Sequence, residues 1–105
     1  MGKTETTLIG AATLEQIAAW EKQHKKVYSV EIDGHVCYFK PVDRKTLSLI
    51  MTLSASNPLA GNEAIITNCW LGGSEEIKTD EEMYCAVVLK VGEIINNKSA
   101  VLKKL

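Results

Sequence analysis

Asp33 and Gly34 separate two short runs, residues 27–32 and 35–40, that alternate in side-chain character. A two-residue Asp-Gly loop of this kind forms a type I′ turn, which supplies positive φ at both central positions and matches the twist of the flanking strands. Loop length then fixes register. Ile32 falls opposite His35, Val30 opposite Cys37 and Tyr28 opposite Phe39, all on one face of the hairpin. That face reads as the core side. The other face sets Val27, Ser29 and Glu31 against Lys40, Tyr38 and Val36, a mixed set expected to be partly exposed. Pro41 ends the second strand because it has no N–H to give to a ladder.

The rest of the chain reads as helix. Thr13 and Gln16 have capping-box spacing ahead of a helix to about residue 25, with Leu14, Ile17, Ala18, Trp20 and His24 on one side and Lys22, Lys25 and Lys26 near its C-terminal end. Asp43 can cap a second helix over residues 44–55, followed by the break at Asn57-Pro58. A third helix is expected over residues 60–70, with Gly72-Gly73 as its left-handed stop. Residues 74–78 read as an acidic loop. Thr79 with Glu82 repeats the capping-box spacing and opens the longest helix, to about residue 95, with Met83, Tyr84, Val87, Val91, Ile94 and Ile95 as its main stripe. After Asn96-Asn97, residues 99–105 could form a last short helix with Val101, Leu102 and Leu105 inward. Residues 1–12 read as a flexible leader and residues 13–105 as a single domain. The expected fold class is α+β, one β-hairpin (about 27–32 and 35–40) packed against four to five α-helices.

Composition narrows the function classes. The 105 residues are 46% hydrophobic and carry a formal net charge of −1, which suits a globular domain and lacks the basic excess of a phosphate-binding module. No nucleic-acid partner is therefore expected. The longest apolar stretches are too short for a membrane span or a secretory signal, so no membrane partner and a cytoplasmic location are expected. Cys37, Cys69 and Cys85 are odd in number, without CxxC spacing and apart from His24 and His35, which argues against a disulfide or zinc framework. No metal or other cofactor is expected. The pair with nucleophile-and-base character is Cys37 with His35, two apart on one strand, but Cys37 lies in an apolar layer where a thiol is inert. The expectation is a protein that is not an enzyme.

What is left unexplained is apolar surplus. The second helix holds Leu49 and Leu53 beyond its Leu47, Ile50 and Met51 stripe, and Leu89 lies off the stripe of the long helix. Such surplus either marks a partner groove or a contact between copies, or is buried within a small many-helix domain; the sequence leaves both open. Leu49, Leu53, Leu89 and, from the mixed hairpin face, Tyr38 are the candidate partner-binding residues.

The order of elements resembles that of small tail assembly chaperones of tailed bacteriophages and prophages. The likeness covers roughly residues 13–95: a helix carrying Trp20, a hairpin ending in Lys40-Pro41, an apolar helix, the stretch Asn68-Cys69-Trp70-Leu71-Gly72-Gly73, and a capped final helix. The resemblance implies a non-enzymatic protein in the host cytoplasm that keeps the long helical tape measure protein soluble while the tail tube assembles. It also implies a second, longer form made by frameshifting, of which this chain would be the short one. Another small regulatory or structural subunit would make the same physical demands on its surface.

Overall fold

The hairpin forms and supplies the sheet's central strand. In the computed structural model, which describes residues 8–97 and 100–105, β1 (Tyr28–Ile32) pairs antiparallel with β2 (His35–Phe39) in the expected register, from Tyr28 opposite Phe39 to Ile32 opposite His35. Asp33 and Gly34 have φ of 47° and 80°, the paired positive values of a type I′ turn.

A third strand corrects the expectation of a hairpin alone. β3 (Trp70–Gly73) adds antiparallel to the other side of β2, giving the order β1-β2-β3. Gly72 and Gly73 are thus strand residues rather than a helix stop. Gly73 is needed there because its φ is +135° and an added Cβ would lie 2.5 Å from the Cα of Cys37. Every residue of β2 is buried, since the sheet is covered on both faces.

One cover is the main core. Cys37 and Phe39 pack with Ile65, Ile66, Cys69, Ile77, Met83, Val87, Val88 and Val91, and Tyr28, Val30 and Ile32 adjoin them. The other cover comes from the chain's beginning. α1 (Leu14–His24) starts at Thr13 with the expected capping box. Its Trp20 ring lies 5.5 Å from that of Tyr38, and the Tyr38 hydroxyl accepts from Ala12 N–H at 3.1 Å. Tyr38 is therefore 8% exposed and Val36 is buried as well, while Ser29 and Glu31 opposite them are exposed, so this face is partly exposed as expected, with its β2 half covered. Leu14, expected inward, is exposed. Of the proposed flexible leader, residues 1–7 lie outside the described residues. Ile9, however, is bonded to the hairpin: its N–H donates to Gly34 C=O at 2.8 Å and its C=O accepts from Val36 N–H at 3.0 Å.

α2 (Arg44–Ser56) and α3 (Pro58–Cys69) form a tight helical hairpin. Asp43 caps α2 as expected, accepting from Thr46 N–H at 2.8 Å. Asn57 both ends α2 and caps α3, so Pro58 opens a helix instead of spacing two apart, as suits a residue with no N–H at a first helical turn. At Gly61 a side chain would meet Ser54 Oγ, so the missing Cβ lets the two helices approach closely. α2 packs chiefly against α3, and Ile50 is its buried residue.

The long helix is shorter than its periodicity suggests. α4 (Glu76–Thr79) occupies part of the expected acidic loop, and α5 (Glu81–Val91) follows. Asp80, not Thr79, caps α5: its carboxylate accepts from Met83 N–H at 3.0 Å, while Thr79 Oγ1 donates to Glu76 C=O at 3.3 Å. A 3-10 segment (Gly92–Asn97) replaces the last turns. Residues 100–105 form no helix, and Val101, Leu102 and Leu105 are exposed rather than inward; the Ser99 start of that expected helix lies outside the described residues.

Candidate docking groove

The residues with catalytic character are committed to structure. His35 is buried, and its Nδ1 shares a 2.8 Å hydrogen bond with the buried Ser74 hydroxyl, tying β2 to the segment after β3. Burial pushes the Cys37 thiol up to about 12, outweighing the favourable charge of Lys78, so it stays protonated near neutral pH. Burial also raises Cys69. Cys85 is the exposed thiol.

A groove on the outer side of α3 and α5 has a different make-up. Leu59 and Glu63 of α3 face Glu81, Tyr84, Cys85, Val88 and Leu89 of α5 across a volume of about 310 Å³. Its base is fixed. Val88 is almost fully buried, and Asn62 Nδ2 donates to Val88 C=O at 2.9 Å, clamping α3 to α5. Tyr84 Oη donates to Glu63 Oε2 at 3.2 Å. Burial and the nearby Glu63 carboxylate hold the Tyr84 phenol above its ordinary value. Above this base, Leu89 is 76% exposed and Leu59 49% exposed. The groove thus offers aliphatic walls at helical spacing with carboxylates for its polar lining, a surface suited to i, i+3, i+4 side chains of another helix.

The sequence candidates divide. Leu89 lines the groove, whereas Leu49 and Leu53 do not. They are four apart on α2, share one side of it and are 41% and 37% exposed. Leu49 and Leu53 therefore do not share a groove with Leu89, because α3 packs between α2 and α5. Tyr38 is withdrawn beneath Trp20 and does not line this groove. Leu59, Glu63 and Tyr84 were not among the candidates; the signal for Leu59 is an apolar residue in the first turn of a helix that already has its own core stripe.

A larger depression of about 380 Å³ joins His24, Lys25 and Lys26 to Tyr28, Val42, Leu47 and Ile94. Its basic rim is where the C-terminal carbonyls of α1 favour cations, so helix termination accounts for that charge. Among the described residues no cluster of His, Cys, Asp and Glu is placed to hold a metal ion, and no helix is long and apolar enough to cross a membrane. Comparison with family models, curated proteins and solved structures found no match to this chain.

Proposed function

We propose that the protein is a non-enzymatic protein-binding domain that takes an apolar helical segment of a partner into the α3–α5 groove. The observation that carries this reading is Leu89, exposed beside the buried Val88 on a rigid helix pair. Burying a leucine side chain on binding is worth about 1.5–3 kcal/mol, and carboxylates around it keep the free protein soluble. Together with the layout of elements, this supports a tail assembly chaperone of a phage or prophage, working in the host cytoplasm. Its partner would be a tape measure-like helical protein.

A second apolar surface supports an alternative. Leu49, Met51 and Leu53 on α2 are exposed away from the groove, as expected of a small regulatory or structural subunit with more than one neighbour in an assembly. Affinity capture from the native source separates the two, using the wild type, Leu89→Asp and the Leu49→Asp/Leu53→Asp pair. A long helical protein retained by the wild type and lost with Leu89→Asp is the chaperone result. Loss confined to the α2 pair would move the binding face and favour the assembly subunit.

A further inference from the structure

β1 is an edge strand. In the sheet order β1-β2-β3 it has β2 on one flank, and among the described residues no strand pairs with the other. The register decides which backbone groups face outward. A two-residue turn makes Ile32 and His35 a hydrogen-bonded pair, so bonding alternates along the hairpin and the N–H and C=O of Ser29 and Glu31 point away from β2. Val36, opposite Glu31, agrees: it donates to Ile9 C=O and accepts from Ser74 N–H, so both of its groups are used on the far side of β2. β1 carries neither the proline nor the bulge that blunts an exposed edge. A cavity of about 300 Å³ opens between it and α5, lined by Ser29, Val30, Glu31 and Ile32 and, across from them, by Ala86 and Lys90. Four consecutive strand residues line it, which places the opening along the backbone edge rather than over one face.

Unpaired backbone groups call for a strand, and charge selects which one. β1 is entered from Lys25 and Lys26 and left through Glu31 and Asp33, all exposed. A strand that is basic at its start and acidic at its end is its own antiparallel complement, and in parallel it would set like charges together. We propose that β1 pairs antiparallel with β1 of a second copy about a two-fold axis at Val30, joining the two sheets into one in the order β3-β2-β1-β1-β2-β3. This register pairs all five β1 residues. Ser29 faces Glu31 of the other copy, where about four N–H to C=O bonds close, and no carboxylate faces a carboxylate. Val30 meets Val30 and Tyr28 meets Ile32 on the α5 side, while Lys26 reaches Glu31 and Asp33 of the other copy at both ends. None of these residues lines the α3–α5 groove, so the inference does not rest on that groove's role.

The test is light scattering across a concentration series, with hydrogen exchange read at the same concentrations. Wild-type protein should move from 11.5 kDa toward twice that mass, and the Ser29 and Glu31 amides should gain protection in step. Ser29→Pro removes an outward N–H and spares the β1–β2 ladder, so it should weaken association about tenfold or more while keeping the wild-type circular dichroism. Lys26→Glu and Glu31→Lys/Asp33→Asn should each weaken association about tenfold, the asparagine preserving the turn, and mixing these two variants should restore it because each end then meets its opposite. A wild type that stays monomeric at its solubility limit overturns the proposal. So does a dimer whose Ser29 and Glu31 amides exchange at the dilute rate, or one that neither charge variant weakens. Protection of those amides only when another protein from the native source is present would replace the second copy with a different strand.

Discussion

At the scale of single residues, burial decides which groups retain ordinary chemistry. Cys37 and Cys69 are fully buried while Cys85 is exposed, so a thiol reagent at pH 8 should modify Cys85 alone in the folded protein and all three cysteines in urea. Rapid modification of two thiols in the folded state would contradict the packing of β2. The Cys37 proton also couples to stability. The folded protein holds it to about pH 12, whereas the unfolded chain gives it up near 9.0, so stability from this group is complete below pH 9 and declines as pH rises toward 12. The decline from this group should approach about 1.4 kcal/mol per pH unit in urea titrations, and Cys37→Ala should remove it, leaving the decline that Cys69 and Tyr84 add in the same direction. Gly73 is the backbone counterpart of these thiols. With φ of +135° and Cys37 Cα 2.5 Å from where a Cβ would stand, Gly73→Ala should cost about 3 kcal/mol in the same assay, and a loss under 1 kcal/mol would contradict the close strand approach.

At the scale of elements, the clearest parts of the sequence were those governed by local rules. Asp33-Gly34 determines the hairpin and its register, Thr13 with Gln16 starts α1, and Asp43 starts α2, because each feature is satisfied within a few residues. The third strand was not legible. Trp70–Gly73 contains two glycines and no β-branched residue, and it becomes a strand only because β2 offers a free edge and tolerates nothing larger beside Cys37. Competition between adjacent caps was hidden for a similar reason: Thr79 and Asp80 both suit the start of α5, and α4 claims Thr79. Candidate-site legibility followed the same division. Leu89 stands off its own helix's stripe, but its neighbours Leu59 and Glu63 come from a helix about 25 residues earlier, which no periodicity relates to it. The weak hold on α1 gives a prediction at this scale. No residue of α1 is fully buried, and its docking depends on Trp20 against Tyr38 and Gly72. Trp20→Ala should therefore strip hydrogen-exchange protection from α1 while leaving β1 and β2 protected. Uniform loss across the sheet would show that α1 opens only with the whole fold.

For the whole molecule, a single core below the sheet supports two outer surfaces that it does not need. Leu89 on α5 and Leu49 with Leu53 on α2 lie outside that core. Leu89→Asp should change unfolding free energy by no more than about 0.5 kcal/mol, the usual range for surface sites, whereas the half-covered Leu49 and Leu53 should cost more. A large loss at Leu89 would mean that it serves the fold rather than a partner. The arrangement also separates stability from recognition: β2, α3 and α5 supply the rigid frame, and the groove occupies the side of α3 and α5 turned away from the sheet's core contacts. The measurement that tests this most directly is hydrogen exchange on the protein purified with its captured helical partner, compared with the protein alone. New protection confined to the start of α3 and to residues 81–89 of α5 is the expected result. Protection appearing on α1 or the β1 edge, with the α3–α5 groove unchanged, would contradict it.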